Sequence, residues 1–121
     1  MLYFVLLPLN SNLTAVNVPV WNMAGHNPSG IKCVKKNNRV VLNGYIVHTS
    51  DVAPNQTVIV GTIDELGRPT RVATIIVGVL GNDVTTQGIT IGELGTNGEI
   101  KVMNPLNINS KHFYFDVVWD I

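Results

Sequence analysis

The sequence predicts an all-β domain, either a small antiparallel β-barrel or a tight β-sandwich. Three features of its composition lead to this prediction. Val, Ile and Thr are abundant, and their branched side chains suit pleated strands. Asn and Gly stand between the apolar runs, where tight turns require a positive φ. Ala, Glu and Gln, which favour helices, are scarce, so we expect less than about a tenth of the residues in helix.

The length and charge of the chain limit its organisation and its partners. With 121 residues it fits one domain, which we divide into an N-terminal arm and loop at 1–30 and a β-barrel head at 31–121. The net charge is zero and only 13% of residues are charged, about half the usual share. We therefore expect no binding to nucleic acid or to an anionic membrane. A mean hydropathy of +0.25 predicts that some apolar surface meets another subunit.

Two apolar features near the start of the chain need an interpretation. Cys33 is the only cysteine, so no disulfide can form within the chain, and we expect a buried thiol rather than a reactive one. Leu2 to Leu9 resembles the core of a secretion signal, but no Lys or Arg precedes it and Pro8 ends it. We predict a strand there. No apolar run in the sequence is long enough to span a bilayer.

The remainder of the sequence alternates between apolar runs and turn residues. We predict strands at Ile31–Val34, Arg39–His48, Thr57–Ile63, Thr70–Leu80, Gln87–Leu94, Glu99–Met103 and His112–Ile121. We predict turns or loops at Asn22–Gly30, Asn37–Asn38, Ser50–Asn55, Gly67–Pro69, Gly81–Asp83 and Asn97–Gly98. Within the predicted strand Arg39–His48, the pair Asn43-Gly44 indicates either a bulge or the close approach of another backbone.

The last strand shows the clearest two-residue period. One face is apolar and is predicted to enter the core; its residues are Phe113, Phe115, Val117, Trp119 and Ile121. The other face is predicted to point outward; its residues are His112, Tyr114, Asp116, Val118 and Asp120.

The strand at Thr70–Leu80 differs because both of its faces are apolar. Ala73, Ile75, Val77 and Val79 alternate with Val72, Ile76 and Leu80. An antiparallel strand of this kind needs cover on both sides. We expect a second sheet to cover one side and a neighbouring subunit, in a homotrimer, to cover the other.

The sequence carries no signature of a metal site or of a cofactor. His26, His48 and His112 lie far apart and lack the spacing of metal ligands. The glycines that recur every third residue from Gly92 to Gly98 are not followed by a helix or by Lys-Ser/Thr, so they do not form a phosphate loop. We expect no metal and no cofactor.

The sequence also lacks the motifs of an enzyme. It contains no G-x-S-x-G, and no histidine stands near Cys33 in the sequence. Asp64-Glu65 is the only adjacent carboxylate pair, and its place beside a Gly-Arg-Pro turn indicates solvated turn residues. We therefore predict a binding protein and no catalytic residues.

Two sets of residues have the chemistry of a saccharide site, which combines a flat ring with groups that bond hydroxyls. The first set is Trp21, His26 and Asn27; the second is His112, Tyr114, Asp116 and Asp120. Each set has a second interpretation. Trp21 can pack against the barrel. The outward set on the last strand can be an ordinary solvated face or a subunit contact.

A series of short motifs runs through the chain in a recognisable order. They are Leu7-Pro8-Leu9, a loop with Trp21, the strand Asn38–Ile46, the turn Gly67–Thr70, the strand Ile89–Ile91, the hairpin Gly95–Ile100 and a closing aromatic strand that ends in Val117-Val118-Trp119. This order resembles the C-terminal head domains of receptor-binding and baseplate proteins in tailed phages and prophages of Gram-positive bacteria. The turn lacks the Leu-Pro and Tyr of that pattern, and Asn97 replaces its usual Asp, but both changes keep the turn chemistry.

The resemblance implies a homotrimeric β-barrel head at the tail tip of a virion. Such a head would bind a saccharide of the host cell wall and would adjoin other tail or baseplate domains. The family has no saccharide-binding motif that maps onto this chain, so the candidate residues rest on side-chain chemistry. The alternative function is a purely structural trimerisation or decoration domain of a virion or surface fibre. A hydrolase of wall polysaccharide would need convergent carboxylates, and few acids are present.

Overall fold

The computed structural model describes residues 14–121, and the predicted strand at Leu2–Leu9 lies outside them. The all-β prediction is confirmed, since about 60% of the structure is strand. No α-helix occurs in the described residues, where the one helical element is a single 3-10 turn at Glu65–Gly67. The side chain of Asp64 caps this turn by accepting a hydrogen bond from the backbone N–H of Leu66 at 3.0 Å.

In the described part of the chain, nine strands make up a single sheet. They are β1 (Val16–Asn17), β2 (Val20–Asn22), β3 (Ile31–Lys36), β4 (Arg39–Val52), β5 (Thr57–Ile63), β6 (Ala73–Gly81), β7 (Gln87–Leu94), β8 (Glu99–Met103) and β9 (Ser110–Asp120). Their order across the sheet is β1-β3-β4-β9-β6-β7-β8-β5-β2, and every pair is antiparallel. The sheet is strongly curled into a half-barrel.

One short segment of the chain reaches both edges of this sheet. β1 pairs with β3 at one edge and β2 pairs with β5 at the other, and only Val18 and Pro19 separate the two strands. The backbone N–H of Val18 donates to the carbonyl of Cys33 at 2.9 Å. Both edges therefore have a hydrogen-bonded strand from the predicted N-terminal arm, which satisfies backbone groups that an open edge would expose.

The core lies inside the curl of the sheet, and β9 contributes its largest side chains. Phe113, Phe115 and Trp119 are buried, as the alternation predicts, while Tyr114 and Asp116 are exposed on the opposite face. The indole Nε1 of Trp119 donates to the carbonyl oxygen of Gly67 at 2.8 Å, so its polar atom is satisfied.

The seven strands predicted between residues 31 and 121 all occur, and several of their bounds differ from the prediction by a few residues. The two largest differences are at the end of β4 and at the start of β6. β4 continues to Val52, through a stretch predicted as loop, because Val52 pairs with Ser110 after a shift in register. β6 begins only at Ala73, so Thr70–Val72 precede it. On the β7 side, Ala73 pairs with Leu94, the last residue of β7, so the residues before Ala73 have no partner in that strand. On the other side, the pairing of β6 with β9 reaches only to Val77.

The glycine in the Asn43-Gly44 pair reflects a close approach of backbone rather than a bulge. Gly44 has φ +120°, and a Cβ there would collide with the carbonyl oxygen of Gly30. That carbonyl accepts a hydrogen bond from the N–H of Tyr45 at 2.9 Å. The pairing of β4 with β9 continues through this point without a shift.

Cys33 is buried, as predicted. Burial disfavours the thiolate and raises the pKa of the thiol from 9.0 to about 12. At neutral pH the side chain is therefore a small apolar group of the core with almost no nucleophilic character.

Candidate functional site

Four neighbouring strands, β4, β9, β6 and β7, present a continuous outer face away from the core. Its central row crosses all four strands and consists of Tyr45, Tyr114, Gly78 and Ile89, which the pairing places side by side. The face thus has two aromatic rings on one half, a glycine in the middle and an isoleucine beyond it.

The main depression of this face lies along Tyr114, and we name it the Tyr114 groove. It consists of two adjoining hollows of about 690 and 530 Å³ that share Gly78, Ile89 and Tyr114. The first hollow is also lined by Val79, Leu80, Gln87 and Gly88, and the second by Asn43, Gly44, Ile76, Phe115 and Asp116.

The ring of Tyr114 forms one wall of the groove and is 41% exposed. Its ring centroid lies 5.7 Å from that of Tyr45, at an interplanar angle of 41°. Tyr45 in turn covers Gly30, where a Cβ would lie 2.5 Å from the ring. The ring of Tyr45 lies over Gly30 and beside Tyr114. It therefore packs against one side of Tyr114, and the other side of Tyr114 lines the groove.

Gly78 forms the floor of the groove between Tyr114 and Ile89. A Cβ built at Gly78 would lie 3.5 Å from the Cβ of Tyr114, which is ordinary van der Waals contact. The packing of the chain itself therefore does not require a glycine at this position. The missing side chain does deepen the outer face beside an aromatic ring.

Polar groups stand at both ends of the groove. Asp116 accepts a hydrogen bond from Nδ2 of Asn43 at 3.2 Å, across the β4–β9 pair. A carboxylate has about four lone-pair sites, and this bond uses one of them. Gln87 lines the opposite end and offers an amide that both donates and accepts.

The other two candidate residues of β9, His112 and Asp120, do not line the groove. His112 is half-buried on the same face, opposite Leu80, and its Nδ1 is buried with no hydrogen-bond partner among residues 14–121. Asp120 lies six residues beyond Tyr114, roughly 20 Å along the strand. It pairs with Arg39 at 3.2 Å on the exposed surface. The structure brings Tyr114 and Asp116 together at the groove and leaves Asp120 outside it.

The set of Trp21, His26 and Asn27 lies at the β2 edge of the sheet, several strands away from β9. Trp21 is half-buried in β2, opposite Thr62, while His26 and Asn27 are exposed in the loop that follows. Oδ1 of Asn22 fixes this loop by accepting from the N–H groups of Ala24 and His26, both at 3.0 Å.

The structure does not join the two candidate sets within one chain. β2 and β9 are not neighbours in the sheet. Asn27 lines a separate hollow of about 280 Å³, together with residues of the N-terminal arm and of β3. The lining of that hollow includes neither Trp21 nor His26.

Within residues 14–121 no three His, Cys, Asp or Glu side chains cluster as metal ligands would. The same residues contain no helix that is long and apolar enough to cross a membrane. Asp64 of the adjacent acidic pair caps a turn, as expected of a solvated turn residue.

Several groove residues were not predicted from the sequence. Asn43, Gly78, Gln87 and Ile89 line the groove, and Tyr45 lies beside it against Tyr114. Tyr45 and Asn43 matter because β4 lies beside β9, a pairing between strands far apart in sequence. The alternation of β9 identified Tyr114 and Asp116, but no local pattern indicates which strand supplies their neighbours.

Comparisons of the chain with models of protein families, with curated proteins and with solved structures gave no match. The function is therefore inferred from the groove and its side-chain chemistry.

Proposed function

We propose that this protein is a non-catalytic binding domain that recognises a saccharide on a cell surface, as the head of a phage receptor-binding protein. The observation that supports the proposal is the Tyr114 groove. It combines the ring of Tyr114, the carboxylate of Asp116 and the amides of Asn43 and Gln87 over an open floor at Gly78.

Each part of the groove has a role in binding a sugar. The C–H face of a pyranose would lie against the ring of Tyr114, above Gly78, where no side chain obstructs it. Asp116 and Asn43 would bond hydroxyls at one end, and Gln87 would do so at the other. Affinity at one site would be weak, because the hydroxyls exchange bonds with water for protein bonds of similar strength.

The charges around the groove favour a neutral saccharide or an amino sugar. Its lining includes one carboxylate, Asp116, and no Lys or Arg. A phosphate or carboxylate on the ligand would meet this negative charge without a cation to balance it. The ligand that fits is therefore an uncharged or cationic sugar unit rather than an anionic polymer.

The wider setting of the proposal comes from the resemblance to phage head domains. The domain would stand at the tail tip of a virion, attached to other tail or baseplate domains, and would act outside the host cell. Copies linked in a homotrimer would raise the effective affinity for a repetitive wall polymer through avidity. The Trp21 set could then meet the β9 set across the boundary between two chains.

A binding assay with intact host cells or a glycan array tests the proposal. Tyr114→Ala and Asp116→Asn should each reduce saccharide binding about tenfold or more, because one removes the ring and the other the charge that bonds hydroxyls. Asp120→Asn is the matched control, since Asp120 lies on the same face outside the groove. The thermal midpoints of all three variants should stay close to that of the parent.

Two outcomes separate the site from the function. Unchanged binding by Tyr114→Ala and Asp116→Asn would refute the groove as the site, and Trp21→Ala would then test the other candidate set. Failure of the intact domain to bind any host wall preparation would refute saccharide recognition. That second result would favour a structural trimerisation or decoration domain, which the exposed isoleucines of β6 and β7 also suit.

A further inference from the structure

The zero net charge of the chain is the sum of two oppositely charged parts. All eight acidic residues lie at Asp51 or beyond it, whereas four of the eight basic residues lie between Lys32 and Arg39. The net charge is therefore +4 before Asp51 and −4 from Asp51 onward. The four basic residues belong to β3 and to the first position of β4, near the β1 edge of the sheet. The domain thus has a cationic side despite its neutral total.

Three of these basic residues lie on the outer face of the β3–β4 hairpin, around two valines. Along β3, Lys32, Val34 and Lys36 alternate with residues that point toward the core. The pairing with β4 places Arg39 beside Lys36 and Val41 beside Val34. Val34 is half-buried and Val41 is 38% exposed, while the three basic side chains are exposed. We name these five residues the basic hairpin face.

A hollow of about 530 Å³ lies on the basic hairpin face, next to the turn between β3 and β4. Val34 and Val41 contribute apolar side chains to it, and Lys36 and Arg39 stand beside them. Asp120 also lines the hollow and accepts a hydrogen bond from Nε of Arg39 at 3.2 Å. A guanidinium has five N–H donors, so four donors of Arg39 remain for a ligand.

We propose that the basic hairpin face binds an extended acidic segment of a partner protein. The spacing of its side chains defines the segment. Lys32 and Lys36 are four residues apart, which is about 13 Å along a strand. Two acidic residues with three residues between them have the same spacing in an extended peptide. An apolar residue midway between them would lie over Val34, so the segment has the form acidic-x-apolar-x-acidic.

The side chains of the face can satisfy each part of such a segment. One carboxylate would meet Lys32, and the other would meet the neighbouring Lys36 and Arg39. Arginine can bond a carboxylate with two parallel N–H groups, which adds geometric specificity to the attraction of charge. The apolar side chain of the segment would cover the two valines, which removes their apolar surface from water.

The apolar centre of the face favours a peptide over a phosphate polymer. A chain of phosphates would leave Val34 and Val41 without an apolar partner. It would also bring several negative charges close to Asp120, which lines the same hollow. A peptide with two separated carboxylates places its negative charge at the lysines and its apolar side chain between them.

The basic hairpin face is separate from the Tyr114 groove. The hollow on this face and the groove have no lining residue in common. Arg39 lies six residues before Tyr45, roughly 20 Å along β4. The inference therefore does not depend on the saccharide binding proposed for the groove.

Fluorescence anisotropy with a labelled synthetic peptide tests the inference. The probe is the blocked peptide Thr-Glu-Thr-Val-Thr-Glu-Thr, titrated with the full chain at low ionic strength. Lys32→Gln/Lys36→Gln should weaken binding about tenfold or more, because both carboxylates lose a cationic partner. Arg71→Gln/Lys101→Gln is the matched control, since it removes two positive charges from exposed positions outside the face. It should bind the peptide like the parent, and added salt should weaken binding by the parent.

The remaining arms separate a peptide site from general attraction of charge. Replacing the valine of the probe by threonine should weaken binding about threefold or more. Tyr114→Ala should bind the probe like the parent, whether or not it binds saccharide. The inference fails if the parent does not bind the probe, or if the two double variants lose affinity equally. It also fails if the threonine probe or inorganic polyphosphate binds this face as tightly as the valine probe, because the face would then recognise negative charge alone.

Discussion

β9 and β7 belong to the same sheet, yet they relate sequence to burial in opposite ways. In β9 the aromatic residues Phe113 and Phe115 face the core, and Tyr114 and Asp116 face outward. In β7 the isoleucines face outward and Thr90 faces the core. The period of two residues holds in both strands. The surroundings differ: Leu106 and Val77 crowd the inner face of β7 at its glycines, and the isoleucines of its outer face are exposed in the described residues.

The largest expected effect comes from the inner face of β9. Trp119→Ala removes a buried ring and the hydrogen bond from its Nε1 to Gly67, so the free energy of unfolding should fall by about 3–5 kcal/mol. Val118→Ala, on the exposed face next to it, should change the stability by less than about 0.5 kcal/mol. Denaturant titration measures both. A loss below about 1 kcal/mol for Trp119→Ala would mean that the faces of β9 are reversed.

A pair of glycines tests the inner and outer faces of the β6–β7 hairpin at intermediate magnitude. Gly92→Ala would place a Cβ 2.9 Å from the carbonyl oxygen of Lys101 and 3.1 Å from Cγ2 of Val77, so it should cost about 1–3 kcal/mol. Gly78→Ala meets only ordinary contacts with Tyr114 and should leave the stability nearly unchanged. Equal losses in denaturant titration would contradict the assignment of inner and outer faces.

The smallest effect concerns the turn that joins β6 to β7. The pKa of Asp83 is lowered from 3.8 to about 2, mainly because its carboxylate accepts hydrogen bonds from the side chain and backbone of Thr86, and then from the backbone of Thr85. Since the folded pKa lies below the ordinary one, this stabilisation is present above pH 3.8 and is lost as the pH falls toward 2.

Thermal melts at pH 4 and pH 2 measure this contribution. The midpoint of the parent should drop slightly more than that of Asp83→Asn, because the variant has no carboxylate to protonate. An identical drop in the two proteins would show that the turn contributes nothing to the acid sensitivity.

The strand boundaries and the neighbours of Tyr114 show how far the sequence could predict the structure. The strands Thr57–Ile63, Gln87–Leu94 and Glu99–Met103 were predicted with the bounds that the structure has, because turn residues delimit them. The ends of β4 and β6 were not, because they depend on where the partner strands begin and end. Tyr114 and Asp116 followed from the alternation of β9. Their neighbours on β4, β6 and β7 depend on pairings between distant strands, which no local pattern reveals.

The central claim about β7 is that another copy of the proposed homotrimer covers the isoleucine strip, which consists of the exposed Ile76, Ile89 and Ile91 of β6 and β7. Thiol labelling measures this coverage directly. Cys33 is buried and its thiol has a pKa of about 12, so it should react very slowly with a thiol reagent. The labelling signal would then come from a single introduced cysteine. Ile89→Cys places a thiol on the strip, and Val118→Cys places a comparison thiol on the exposed face of β9. If a second copy covers the strip, labelling of Ile89→Cys should slow about tenfold or more as the protein concentration rises from nanomolar to micromolar, while Val118→Cys reacts at a constant rate. Equal and constant rates for the two variants over this range would contradict the claim.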